Sequence, residues 1–165
     1  MIEKSKNELA LLHDFTFEEA FKVLDIVNKE EVLVEDLLHC MQTRFGVTSF
    51  NMKEITLFMS RYDKFQGKRL KLLDFSNAFT PREAVFAEYV KKKSAQFPDK
   101  QPLMSKETRY KFRDLLVMMI ENEVKLELLR HELFQSPYFS AKVAFCNFET
   151  EEPNDFCDEI EPANS

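Results

Sequence analysis

An all-α fold is predicted for this 165-residue chain by three features of its sequence. It has only two glycines, Gly46 and Gly67, so positive-φ positions for tight hairpins or a glycine-rich phosphate loop are scarce. Apolar residues recur at three- and four-residue spacing through most of the chain, the period of an amphipathic helix. Capping residues stand at the head of several of these stretches. Their order predicts one lobe of two helix–loop–helix units, then a long helix, then a short and partial third unit.

The first strong helix opens at Thr16, a capping residue with Glu19 three positions on to reach back, and Phe15 at the staple position. Phe17, Ala20, Phe21 and Leu24 then share a face. A second helix, about Val34 to Phe45, carries Leu37, Leu38 and Met41 and stops where Gly46 can turn left-handed. Asn51 and Glu54 form another capping box ahead of Ile55, Phe58 and Met59. The next helix begins near Leu73 and holds Phe75, Ala78 and Phe79. In "TPRE", Thr80 to Glu83, a cap, a proline at the first helical position and a glutamate at the third predict a fresh helix from Pro81 toward Lys93.

Two prolines in "FPDKQP", Phe97 to Pro102, mark a linker. Ser105 then caps a helix reaching about Phe134, with Phe112, Leu116, Met119, Ile120, Val124 and Leu128 as its apolar stripe. "SPYFS" ends it, and a short helix from Ser140 leads into an acidic tail too polar to order itself alone. The organisation expected is therefore 14–80 for the paired units, 81–104 for a helix and linker, 105–148 for the long helix and partial third unit, and 149–165 for the tail.

Composition narrows the function classes. At 44% hydrophobic residues, with 17 Phe and 7 Met, the chain can fill a core. The net charge of −6 belongs to the tail, where Glu149 to Ser165 holds seven acidic residues and no basic one, leaving residues 1–148 at +1. A body so balanced offers no charge-based case for nucleic acid, and Lys91, Lys92 and Lys93 read as a solvated helix end. Cys40, Cys146 and Cys157 form no C-x-x-C pair, which suits free thiols in a reducing compartment. With no signal-like leader and no run of about 18 apolar residues, a cytoplasmic protein without a membrane span is expected. No catalytic residue stands out: His13, His39 and His131 have no nucleophile or carboxylate at a telling spacing, and Cys40 points about 100° away from its neighbour His39 on a helix. No Walker, Rossmann or zinc signature is present, so no cofactor is expected.

The two helix–loop–helix units repeat at an offset of 38 residues, their loops starting at Asp25 and Asp63. "EEAFKVLD" and "RYDKFQGKRLKLLDF" resemble the first and second EF-hands of the calmodulin superfamily, over about residues 14–80. In that family's twelve-residue loop, cation ligands fall at positions 1, 3, 5, 7, 9 and 12, with Gly at 6 and an acidic bidentate ligand last. The resemblance also implies that apolar residues at position 8, here Val32 and Leu70, pair the two loops.

The ligands themselves are largely missing. The first loop keeps Asp25 at position 1 and Asp36 at 12 but has Val27 at 3, Lys29 at 5 and Glu30 at 6. The second keeps Asp63 and Asp74 but has Phe65 at 3, Gly67 at 5, Lys68 at 6 and Lys71 at 9, and with Lys64 and Arg69 its net charge is +2. A divalent ion entering the second loop meets repulsion before its dehydration cost is recovered. The first loop, at −4, is friendlier, yet Val27 offers no oxygen and Lys29 would set an ammonium at the ion. No metal is therefore expected, and Asp25, Asp36, Asp63 and Asp74 are vestigial loop positions. A third unit is suggested by "FSAKVAFCNFETEEPNDF", with Ala144 and Phe145 resembling the "AF" of the first helix, Glu149 at loop position 1, Pro153 at 5 and Phe156 at 8. With the long helix before it, this spacing is similar to EF-hand proteins of ciliated single-celled organisms, many of which are cytoskeletal or axonemal.

The function expected is that of a non-enzymatic structural or adaptor protein, independent of calcium. Its protein partner, an amphipathic helix, would dock on Met41, Phe45, Phe58, Met59 and Phe79. The resemblance implies a microtubule-associated or axonemal partner, and hence a place in the cytoskeleton or in a cilium or flagellum. The alternative is a calmodulin-like calcium sensor that regulates a target through the first loop or the C-terminal half-unit.

Overall fold

The computed structural model describes residues 1–63, 67–96, 103–137, 139–142 and 144. Among them are seven helices and one two-stranded sheet, so the class is all-α. In chain order the elements are α1 (Ile2–Leu11), α2 (Phe17–Leu24), β1 (Glu31–Leu33), α3 (Val34–Thr43), α4 (Met52–Tyr62), β2 (Arg69–Lys71), α5 (Leu72–Phe79), α6 (Ala84–Gln96) and α7 (Lys106–Gln135). The chain divides into two compact units, Met1–Val124 and Lys125 onward. This differs from the division at residues 80 and 104 expected from sequence, because α1, α6 and the first part of α7 contribute to the same core as the paired units. The expected linker at 97–102, the acidic tail and most of the partial third unit lie outside the described residues.

The helix signals act as physical chemistry requires. Thr16 Oγ1 accepts from Glu19 N (3.2 Å) at the start of α2, while the Glu19 carboxylate is engaged by Lys22 (2.9 Å). Asn51 accepts from Lys53 N and Glu54 N, and Glu54 returns the bond to Asn51 N (2.8 Å), a complete capping box on α4. Gly46, at φ +67°, turns the chain after α3 so that Val47 N can reach back to Met41 O (2.8 Å).

Two elements depart from the expectation. The helix α1 carries polar or charged residues on six of its ten positions, so periodicity did not announce it; only Leu9 and Ala10 are buried, and it packs against α6. In turn α6 begins at Ala84 and not at Pro81, because residues just before it are bound to α1: Arg82 N donates to Glu3 Oε2 (2.9 Å) and Asn7 Nδ2 to Glu83 Oε1 (2.7 Å). Lys93 is also not part of a solvated end. Its ammonium is buried and donates to Ala10 O (2.7 Å) and Leu12 O (2.6 Å), satisfying carbonyls at the end of α1. Burial pulls its pKa down to about 8, with the charge of Asp14 acting in the opposite sense. Lys91 and Lys92 do remain exposed, Lys92 beside Glu88 (3.6 Å).

Within the first unit α7 buries Phe112, Leu115, Leu116, Met119 and Ile120. The Phe112 ring lies 6.3 Å from Phe15, 6.2 Å from Phe45, 6.0 Å from Phe75 and 5.4 Å from Phe79, centroid to centroid. The start of the same helix is anchored by Asp14, which accepts from Ser105 N (2.8 Å) and from Thr108 Oγ1 (2.7 Å). Further along, the buried Glu123 carboxylate lies 3.8 Å from Arg61 Nε on α4. Burial first, and the Glu123 charge second, push the neighbouring Tyr62 phenol above its usual range. In the second unit, Leu128, expected in the buried stripe, is 59% exposed, and Leu129, Leu133 and Phe134 are exposed as well. These last turns carry apolar residues on several sides, so a period of 3.6 does not single out one buried face. Among the described residues no helix is long and apolar enough to cross a membrane.

Truncating Phe112 to Ala removes a ring packed against three other segments and is expected to destabilise the fold by about 3–5 kcal/mol in urea denaturation, with Phe112→Leu costing less. Asp14 gives a pH signature. Burial alone would raise its pKa, but the bonds from Ser105 and Thr108 outweigh that and hold it below the ordinary value of 3.8. Its stabilisation is therefore complete above that ordinary value and lost as pH falls through the lower folded-state pKa. Asp14→Asn is expected to lower stability at neutral pH and to flatten the acid limb of a stability–pH profile.

Candidate functional site

The candidate site is the pair of loops and the helix faces they position. Strands β1 and β2 are antiparallel in the register Glu31↔Lys71, Val32↔Leu70 and Leu33↔Arg69. Val32 and Leu70 are directly opposed and buried beneath the ladder, so each loop is tied to the other by backbone bonds and by an apolar pair. The ion pair from Arg69 Nη1 to Glu31 Oε2 (3.2 Å) adds a link at the rim. Both loops make the same sharp turn at their sixth position: Glu30 has φ +64° and Lys68 has φ +54°. Neither is glycine, so each carries a steric cost that the surrounding bonds must hold in place.

In the first loop the carboxylate of Asp25 is committed to its own chain. Oδ1 accepts from Lys29 N (2.9 Å) and Oδ2 from Glu30 N (2.8 Å), which ties the strained turn to the end of α2. Asp36, at the other end of the loop, accepts from Leu33 N (3.2 Å) at the start of α3, and the Lys29 ammonium stands 4.0 Å from its Oδ2. A lysine thus lies beside this carboxylate. In the second loop Asp63 Oδ2 accepts from Arg69 N (3.3 Å), and Asp63 and Asp74 share a cleft of about 280 Å³ with Arg69 and Lys71. Two positive side chains line it against two negative ones. Positions 64–66 of this loop lie outside the described residues. Among the described residues no group of three or more His, Cys, Asp or Glu side chains gathers as a metal site.

The five residues expected to face a partner helix are placed otherwise. Met41, Phe45, Phe58, Met59 and Phe79 are all buried, each no more than 8% exposed. Phe45 and Phe79 flank Phe112, and Phe58 meets Tyr62 edge-on at 5.2 Å. The physical reason is that these residues belong to one core cluster, to which α7 contributes its own apolar residues, Phe112 among them. Sequence periodicity identifies the α7 stripe but carries no information on what that stripe covers. Asp14 and Lys93, which join distant segments through backbone groups, have no local sequence signal at all.

Cys40 is a free thiol, buried, donating weakly to Val23 O (3.4 Å); burial pushes its pKa up to about 11, so it carries little thiolate. Cys146 and Cys157 lie outside the described residues. His39 is exposed on α3, and His131 pairs with Gln135 (2.8 Å) on α7.

If Asp25 serves as an acceptor for the turn, Asp25→Ala leaves two amides without a partner and is expected to cost about 1–3 kcal/mol in denaturant unfolding. Asp25→Asn keeps one acceptor oxygen and should cost less. No protein-family model, no curated protein and no solved structure matches this chain.

Proposed function

We propose that this chain is a non-enzymatic structural or adaptor protein built on an EF-hand-like pair that holds its shape without calcium. The observation that carries this is the state of Asp25: both carboxylate oxygens are occupied by backbone amides of the loop, in the position where a cation would be bound. Lys29 beside Asp36, and Arg69 and Lys71 beside Asp63 and Asp74, support it by supplying fixed positive charge in place of an ion. The apolar register pair Val32 and Leu70 supports the comparison with paired EF-hand loops.

The partner is a protein, and the resemblance to EF-hand proteins of ciliates favours a microtubule-associated or axonemal one, with a cytoplasmic, cytoskeletal or ciliary location. Met41, Phe45, Phe58, Met59 and Phe79 are all buried in the core, and Phe112 of α7 packs on Phe45 and Phe79, so a partner helix reaches these two only by displacing it. The lobe therefore works closed, as a rigid unit, and not by the ion-driven opening that exposes a groove in calcium sensors.

Calorimetric titration with micromolar calcium, followed by far-ultraviolet circular dichroism, separates this from a calmodulin-like sensor. A flat trace and unchanged helicity are expected. Heat of binding accompanied by a change in helicity would overturn the proposal in favour of the sensor.

A further inference from the structure

A cleft of about 600 Å³ opens on the first unit where the end of α3 meets the start of α7. Its floor is apolar, made by the buried Phe45 and Met104 with the half-buried Val23. Its rim is cationic: Arg44, Lys106 and Arg109 line it with Tyr110, and no carboxylate does. Arg44 is held in place by donating Nη1 to Val23 O (3.2 Å), and Lys106 lies over the Tyr110 ring at 5.7 Å. The acidic residues next along α7 are engaged elsewhere, Glu107 by Lys111 (3.2 Å) and Asp114 by Arg113 (2.6 Å). Among the described residues neither Lys106 nor Arg109 enters an ion pair.

Three like charges around one concavity, with no counter-charge in its wall, favour an anion of more than one charge. Two guanidinium forks and an ammonium suit a phosphate group, which offers three oxygens and about two charges. Lys106 also stands on the first turn of a 30-residue helix, whose positive end adds to the same field. The volume leaves room for more than inorganic phosphate: it lies within the range of about 300–1,000 Å³ typical of drug-sized ligands. The remaining space is bounded by Phe45, Met104 and Val23, which an apolar group would cover. We propose that this cleft binds a phosphomonoester carried on an apolar or aromatic body. This goes beyond the adaptor function and does not depend on whether the loops bind calcium.

The test is a backbone-amide NMR titration of the full chain with phenyl phosphate, inorganic phosphate and phenol. Expected is tighter binding of phenyl phosphate than of either fragment, with shifts centred on Arg44, Lys106 and Arg109, weakening as salt is raised. Arg109→Glu and Lys106→Glu should each weaken phenyl phosphate about tenfold or more while leaving the thermal midpoint near that of the parent. Lys4→Glu, on the exposed side of α1, should leave binding unchanged. A phosphotyrosine tripeptide binding more tightly than phenyl phosphate supports the site with a protein side chain as its source; equal binding supports it with a small molecule as its source. Equal affinity for phenol and phenyl phosphate, shifts away from the cleft, or undiminished binding by a folded Arg109→Glu variant would overturn the proposal.

Discussion

The ring of Phe112 stands fully buried among Phe15, Phe45, Phe75 and Phe79, which come from the segment before α2, the end of α3 and the face of α5. A helical hairpin pair exposes an apolar concavity that must be covered by something, and in this chain the cover is a covalently attached helix. Several observations follow from that one insertion. The candidate docking residues are core residues, the first unit extends to Val124, and Asp14 and Glu123 carry polar links from the lobe to both ends of the covering segment. Because the cover is tethered, it needs no favourable association constant of its own, only a surplus over the cost of ordering the chain between.

The loops show how backbone shape can be separated from ion chemistry. A bound cation in such a loop gathers oxygens from several positions and so fixes the turn. Here the turn is fixed by amides gathered around one carboxylate, with the ladder between β1 and β2 closing the other side. The backbone at Glu30 and Lys68 is held left-handed where glycine would relieve it. Local strain of about 1–2 kcal/mol per residue is affordable only because the surrounding bonds leave the chain no easier path.

Much of the local architecture was legible in the sequence, since capping is a short-range code. Thr16 with Glu19, Asn51 with Glu54, and Gly46 after α3 each signal a helix boundary through neighbours within four residues. Counting eight from each loop aspartate reaches the two residues that oppose one another across the ladder. What was not legible depends on partners far away in the chain. The triplet Lys91, Lys92 and Lys93 reads as one solvated group, yet the third finds carbonyls 81 and 83 residues earlier. Arg44, Lys106 and Arg109 form no cluster in sequence, and only the meeting of α3 with α7 places them around one cleft. The helix α1 hides for a different reason: most of its surface is polar, and the two residues that bury it are too few to establish a period.

The bond from Lys93 to the end of α1 bears on the order in which the molecule is built. A ribosome releases α1 before α6 and α7, so its terminal carbonyls wait for a donor 83 residues downstream, and Asp14 waits still longer for Ser105 and Thr108. Contacts of such long sequence separation form late, after local hairpins have condensed. The α1 segment is thus a loose strap during translation, fastened only when the α6 and α7 segments have emerged.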